Sequence, residues 1–454
     1  MTRWILTLIG VALSSGCTLI PKYDRPQAPV PDQFPGASTA QEGRSASDVS
    51  WRELIAERRL LRLIELALAE NRDLRRAALN VEQARAQYRI TRANAYPTLE
   101  ASAGLLRQHT ETTVESWSVE ADISAYELDF FGRIRSLNEQ ALQQYLATTE
   151  AQRAAQVSLV AEVAIQYFAL REAEEQLSLA RHTLETVLEL YRLNQASFDA
   201  GAIGELDLRA AEGQVQTARV NVLTYERQLR QAENALSLLI GTALPADLPA
   251  SASFNDPMLL AQVPAGLLSD LLARRPDILE AEHTLQAANA NVGAARAAFF
   301  PSISLTGSVG RTSPELSDLF GSSTHAWSFQ PQLRLPIFTG GANSANLEAA
   351  KVETRIEVAS YEKAIQTAFR EVADALIAES TYADEIQAQT LAIAAQQRRL
   401  ELADARYRQG EDSYLNVLTA QQDLYAAQQG QLQAQFNRLS SQISLYRALG
   451  GGWQ

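Results

Sequence analysis

Apolar residues recur along this chain with two periods, and the two alternate in a fixed order. Over about 57–95, Leu60, Ile64, Ala67, Leu74, Ala78, Val81, Ala84 and Tyr88 fall three, four or seven positions apart, along one face of a helix. Pro97 ends that helix, because the residue before a proline is pushed into extended geometry. Period two then takes over. Leu99, Ala101, Ala103 and Leu105 alternate with Glu100, Ser102 and Gly104. Trp117, Val119, Ala121, Ile123 and Ala125 alternate with Ser116, Ser118, Glu120, Asp122 and Ser124. Each run predicts a strand of some ten residues with one apolar and one polar face, joined by a polar turn near 107–115. Past Phe131-Gly132 two long helices follow, about 133–198 and 205–240, separated by a turn at Gly201–Gly204.

The whole pattern repeats about 205 residues later. Asp73 corresponds to Asp277, Pro97 to Pro301, Phe131-Gly132 to Phe338 with Gly340-Gly341, Gly201 to Gly410, and Gly241 to Gly450. The second copy predicts a helix at about 265–299. In its strands Ile303, Leu305, Gly307 and Val309, then Trp327, Phe329, Pro331, Leu333 and Leu335, hold the apolar positions, with a turn near 311–325. Long helices over about 341–408 and 413–449 complete it. The organisation is therefore a first repeat over 51–241 (hairpin 97–131, long helices 133–240), a Pro-rich linker over 242–264, and a second repeat over 265–454 (hairpin 301–338, long helices 341–449).

The first fifty residues carry different information. Arg3 precedes an apolar run from Trp4 to Leu13, too short for a bilayer-spanning helix and suited to a secretory signal. Leu13-Ser14-Ser15-Gly16-Cys17 resembles a bacterial lipobox, so residues 1–16 read as a leader and Cys17 as the lipidated N-terminus, carrying diacylglycerol and an N-acyl chain. Cys17 is the only cysteine, which excludes an internal disulfide. Thr18 follows where an inner-membrane retention signal would place Asp. Residues 17–50, with Pro21, Pro26, Pro29, Pro31 and Pro35, read as an extended tether.

Two long helical stretches per repeat, rich in Ala, Gln, Glu and Leu, suit close-packed coiled coils. A formal charge of −13 is wrong for binding nucleic acid, which needs a basic surface. Enzyme chemistry finds no foothold. His109, His182, His283 and His325 are scattered, none at metal-ligand spacing from another histidine or a cysteine. Gly340-Gly341 lacks the further glycine and lysine of a phosphate loop, and Gly307-Ser308-Val309-Gly310 is a strand end rather than a nucleophile elbow. No catalytic residue, metal site or cofactor is expected.

The strands impose the strongest demand. Their apolar faces are flanked only by long helices, so they must meet lipid or a partner. Four strands match the transmembrane length of 9–11 residues but cannot close a barrel, and an open edge is not tolerated in hydrocarbon. Several chains must share one barrel, with Ser, Thr, Gln, Glu and Asp facing a wet lumen and Trp117 and Trp327 suited to the interfacial girdle. A lipid-anchored coiled-coil scaffold or adhesin would explain the helices and the lipid but not the duplicated hairpins. A self-contained porin would need more strands.

Taken together, LLARRPDI, FFPSISLTGSVG, LPIFTGG, YRQGEDSYLNVLTAQQDL and YELDFFGRIR resemble the outer-membrane efflux proteins of the TolC and OprM type, nearest the lipoprotein branch called NodT-like, across nearly the whole mature chain. The resemblance implies a mainly α protein with a membrane β-barrel. Three copies would close twelve strands, and their helices would form a tunnel across the periplasm. Implied partners are two further copies, a periplasmic adaptor (membrane fusion) protein, an inner-membrane pump of RND, ABC or MFS type, and outer-membrane lipid. It also implies a passive duct that closes at its periplasmic tip. Carried over by position, the constriction falls on Glu205 and Asp207 in the first repeat and on Asp412, Asn416 and Thr419 in the second. Asn416 and Thr419 stand where TolC-type members often carry aspartates, which implies a less acidic constriction. Gly201 and Gly410 mark the turns an adaptor would grip.

Overall fold

The computed structural model of the chain describes residues 18–31, 34, 49–251, 258, 259 and 268–451, the side chains of 268–270 excepted. The leader, Cys17, most of the tether beyond Pro31 and most of the linker beyond 251 lie outside the described residues. In chain order the elements are α1 (Trp51–Leu54), α2 (Arg58–Glu70), α3 (Arg72–Ala93), β1 (Leu99–His109), β2 (Thr113–Leu128), α4 (Arg133–Asp199) and α5 (Glu205–Ile240). The second repeat supplies α6 (Leu268–Arg274), α7 (Pro276–Ala297), β3 (Ser302–Ser313), a 3-10 turn (Leu316–Asp318), β4 (His325–Arg334), α8 (Ala342–Arg408) and α9 (Tyr414–Ala448). The four long helices begin and end within one residue of their expected bounds. With 67 residues each, α4 and α8 carry about 100 Å of helical path.

Where a single helix is expected at the start of each repeat, the structure has two. The break falls on Asn71 in the first repeat, which is extended at φ −62°, ψ 130°. Its Oδ1 accepts the Leu74 N–H at 2.8 Å, a cap that starts α3, and its Nδ2 donates to the Leu239 carbonyl at 2.8 Å. In the second repeat the break falls on Arg275, the residue before Pro276. Its guanidinium donates to the Ala448 carbonyl at 2.8 Å and pairs with Asp277 at 2.8 Å and Glu371 at 2.5 Å. Asn71 and Arg275 occupy equivalent repeat positions, and their acceptors stand two residues before Gly241 and Gly450. Both repeats thus tie their first helix break to the end of their last helix, one with a neutral amide and one with a buried cation that needs its two carboxylates.

The strands form one antiparallel sheet in the order β1-β2-β3-β4, so the central β2–β3 pair joins the two repeats. The register aligns apolar with apolar across it. Leu99, Ile123, Gly307 and Phe329 make one row, and Ala101, Ala121, Val309 and Trp327 the next. The opposite face carries Glu100, Asp122, Ser308 and Ser328 in one row. A bulge between Ile123 and Tyr126 resets the alternation. Ala125 takes φ +47° with its N–H on Thr306 Oγ1 at 3.2 Å, so Tyr126 and Leu128 continue the apolar rows in its place. β2 runs 16 residues, longer than expected, and shortens the turn before it to 110–112. Trp327 is 72 % exposed and Phe329 63 %.

Internal contacts divide the chain into two compact units that cut across the repeats. One contains residues up to Ala28, 79–150 and 278–364, including the whole sheet. In it the tether residues from Thr18 to Arg25 form no regular element and lie against α7. The other contains 29–78, 151–277 and 365–454. Its core packs Trp51, Leu60 and Ile64 against Tyr167, Phe168 and Ile240, all essentially inaccessible. Burial of such side chains contributes about 1.5–3 kcal/mol each.

The sheet generates a paired prediction. Val309→Arg places a cation on the apolar face, at a cost of about 2–4 kcal/mol at mid-membrane depth. It should sharply lower the yield of heat-resistant assembled protein in outer-membrane fractions. Ser308→Arg, one residue away but beside Asp122, should leave the yield near that of the unchanged protein.

Candidate functional site

The α4–α5 and α8–α9 connections are built alike. Helix α4 ends with Gly201 at φ +75°, its N–H on the Phe198 carbonyl at 2.8 Å and the Ala202 N–H on the Ser197 carbonyl at 2.8 Å. Helix α8 ends with Gly410 at φ +76°, its N–H on the Tyr407 carbonyl at 2.9 Å and the Glu411 N–H on the Arg406 carbonyl at 3.0 Å. This paired closure requires a left-handed residue, which is why glycine stands at both points.

The five polar residues expected at the constriction take separate roles. Asp412 and Asn416 come together, the amide Nδ2 donating to Asp412 Oδ1 at 2.5 Å. The Ser413 N–H donates to the same oxygen at 2.8 Å, and Arg406 lies 3.7 Å from Oδ2. These donors, the Ser413 N–H first, hold the Asp412 carboxyl below its usual range. Glu205 pairs with Arg209 along its own exposed helix face at 3.3 Å. The Thr419 hydroxyl donates to the Leu415 carbonyl of its own helix at 2.8 Å. Asp207, half-buried in the first turn of α5, lies within electrostatic reach of Tyr407 and Tyr414. An anion there is also favoured by the helix dipole.

The residues that bind the two helix pairs to each other were not among those expected. The Tyr407 hydroxyl of α8 donates to Asn194 Oδ1 of α4 at 2.8 Å. Tyr414 of α9 is buried beside it, the rings 5.5 Å apart, over Val417 and Ala211. Burial, then Tyr407 and Asp207, push the Tyr414 hydroxyl up to about 12, an effect that Asn194 partly opposes. Along the same seam Gln422 of α9 donates to Gln214 of α5 at 3.2 Å, and Gln429 of α9 reaches the Tyr225 hydroxyl of α5. Helices α8 and α9 are tied by Arg399–Asp423 at 2.5 Å and by Gln431 to Thr390 at 2.8 Å. The sequence signal for the central pair is modest: Tyr407 and Tyr414 are a seven-residue step interrupted by the Gly410 turn, and Asn194 is an isolated amide on a long helix.

Among the described residues no group of His, Cys, Asp and Glu is arranged to hold a metal ion, and no helix is long and apolar enough to cross a membrane. His109 contacts Thr113 at 3.0 Å and His283 contacts Gln143 at 2.7 Å.

Residues 63–242 and 267–451, one block per repeat, match the family model described as outer membrane efflux protein. The chain is 44 % identical over 467 aligned positions to the probable efflux pump outer membrane protein TtgC of Pseudomonas putida, covering 100 % of this chain and 96 % of that one. It is 44 % identical to the cation efflux system protein CusC of Escherichia coli, covering 98 % of each. Among solved structures, the open state of the Neisseria gonorrhoeae MtrE outer membrane channel superposes with a TM-score of 0.90 at 41 % identity, over 96 % of this chain and 99 % of that one.

The buried Tyr414 makes the tip sensitive to alkali. A folded-state pKa of about 12 lies above the unfolded value of about 10. The stability Tyr414 contributes is therefore whole below pH ~10 and disappears as pH rises through about 12, a difference of roughly 2–3 kcal/mol. Ultraviolet difference titration should show a late tyrosinate step that Tyr414→Phe removes. The same variant should flatten the alkaline fall in thermal midpoint.

Proposed function

We infer what the chain does from its kinship: it belongs to the outer membrane efflux protein family, whose model spans both repeats. It is the outer-membrane channel of a tripartite efflux system, and it extends into the periplasm. Three chains assemble the channel, each supplying four strands to a twelve-stranded barrel. The observation that carries this reading is the sheet itself. It has one continuous apolar face and two free edges, at β1 and β4, and neither edge can be satisfied within a single chain in lipid. A non-transporting scaffold would have no use for such a sheet.

Several finer assignments extend that reading. The closed end of the duct is the pair of turns at Gly201 and Gly410, and opening separates α8–α9 from α4–α5. The restraint is the seam Asn194–Tyr407, Gln214–Gln422 and Tyr225–Gln429, with Asp207 repeated three times around the axis as a like-charge ring. The direct Asp412–Asn416 contact serves to rigidify the second turn, because Asn416 spends its amide on its own helix start. The two turns are the surface for a periplasmic adaptor, and the driving pump is an inner-membrane transporter of RND, ABC or MFS type. Cys17 carries diacylglycerol and an N-acyl chain. Relatives of equal identity are named for a probable efflux pump with toluene-transporting counterparts and for a cation efflux system. That spread supports a duct indifferent to cargo, with selection made by the pump.

Planar-bilayer recording tests the channel and its seam together. The purified trimer should conduct weakly at rest. Tyr407→Phe removes one neutral hydrogen bond, about 0.5–1.5 kcal/mol, and should raise the open population by roughly two- to twelve-fold. Asp207→Ala should raise conductance as well. Absence of current from all three proteins would refute the conduit. For the anchor, cells fed labelled palmitate should yield labelled protein, and Cys17→Ser should abolish the label while the polypeptide is still exported.

A further inference from the structure

In the shared barrel β4 of one copy lies beside β1 of the next, and the alternation of the four strands makes that pair antiparallel. Residues directly opposed in such a pair point to the same face. The odd-numbered residues of both edge strands, His109 and His325 among them, lie on the apolar face. Keeping that face continuous from copy to copy admits only registers two residues apart. One of these opposes His325 to His109 and Arg334 to Glu100, and it gives every residue of β4 a partner in β1.

Barrel geometry narrows the choice. The row His325, Arg311, Val119 and Ala103 crosses one copy, and in this register it resumes at His109 of the next, six residues above Ala103. Six residues rise about 20 Å while four strand spacings cover about 19 Å, a tilt of roughly 45°. Sliding by two residues gives roughly 35° one way and roughly 55° the other, and closed barrels hold to roughly 35–45°. Charge decides between the two registers that remain. Glu100 faces the like charge of Asp122 in its own sheet, and neither Glu100 nor Arg334 has an ion-pair partner among the described residues of its chain. Opposing the two across the seam supplies each with one on the wet face. The shallower register instead sets Arg334 below the first residue of β1 and His325 against Arg107.

We propose that this seam builds a cation site at the rim of the barrel: His325 of one copy and His109 of the next together hold a borderline divalent metal ion such as Zn²⁺. Opposed side chains have Cβ atoms about 4.5–5.5 Å apart, close enough for two imidazoles to share an ion at about 2.0–2.1 Å from each nitrogen. Imidazole suits zinc, copper and nickel. His109 is already oriented for the task. Its Nδ1 contacts Thr113 Oγ1 at 3.0 Å, which fixes the ring and leaves Nε2 for the metal. Both histidines are exposed in the single chain. The nearby cations on that face are engaged elsewhere, Arg107 with Glu115 at 3.0 Å and Arg311 with the Gly321 carbonyl at 2.5 Å. Within one copy the two histidines stand on opposite edges of the sheet, so the site exists only between copies and rests on the three-chain barrel described above. It braces the seam at the end of the strands farthest from the helices.

Calorimetric titration of the purified trimer with Zn²⁺ tests the site. The unchanged protein should take up one ion per seam, and His109→Ala and His325→Ala should each abolish that uptake. Mixed trimers of the two variants, isolated through a different tag on each, show where the ligands come from. Every mixed trimer has one seam that keeps both histidines, so it should regain one ion although no chain in it holds the pair. Uptake that survives either variant, or none regained in mixed trimers, overturns the site. Disulfides read the register. On oxidation Ser102→Cys/Gln332→Cys should join neighbouring chains covalently, and Ser102→Cys/Gln330→Cys should not. Any other pattern overturns the register, and the site with it. Protein that never migrates as a trimer overturns the shared barrel instead.

Discussion

A sheet with two open edges and one greasy face cannot be at peace alone in hydrocarbon. The outer edges of β1 and β4 each present a row of backbone N–H and C=O groups, and leaving them unpaired in lipid costs several kcal/mol apiece. The apolar rows through Ile123 and Ala121 forbid the alternative of leaving the sheet in water. An identical sheet on each side meets both demands, so a closed ring of copies is a condition of the strands, and kinship with the solved channels sets that ring at three. The family's assembly follows from a hydrogen-bond deficit written into each copy.

Duplication supplies the matching elements, and the two copies reach one geometry by different chemistry. Asn71 and Arg275 each interrupt the opening helix of a repeat and donate to the carbonyl two residues before a left-handed glycine. The amide does so without charge. The guanidinium does so at the expense of desolvation and has drawn in Asp277 and Glu371 to compensate. A bond kept through such divergence fixes the point where the chain turns from one helix layer to the next. The adjacent backbone approach enforces it in the first repeat, where a Cβ on Gly241 would stand 2.4 Å from the Glu70 carbonyl oxygen.

Period and punctuation made much of this legible in the sequence. Four long helices, four strands and the glycine turns at 201 and 410 are local features, set by alternation, proline and left-handed geometry. What stayed hidden depends on partners remote in the chain. The break at Asn71 is stabilised by a carbonyl 168 residues away, and its one local signal is the capping preference of asparagine. The bulge at Ala125 appears only once β3 supplies Thr306 as an acceptor. At the tip, Asp412 and Asn416 are four residues apart on a helix start and could be paired by spacing. The burial of Tyr414 and its neighbour Asn194 could not, because it requires four helices at once. The start of the tether reads as mere extended chain, since its order comes from α7 rather than from its own prolines.

The pairing of β2 with β3 also governs the order of events during biogenesis. Ser116 and Thr312, hydrogen-bonded neighbours across that pair at 3.0 Å, stand 196 residues apart. The first hairpin is synthesised well before its partner strand exists, an interval of roughly 10–40 s at ordinary elongation rates. Throughout it, one adhesive strand edge and one oily surface travel unprotected. Contacts of such long sequence separation form slowly and expose nascent chains to aggregation. The sheet therefore cannot be completed until the second repeat has been made, and the length of the helical hairpin inserted between its two halves sets that delay.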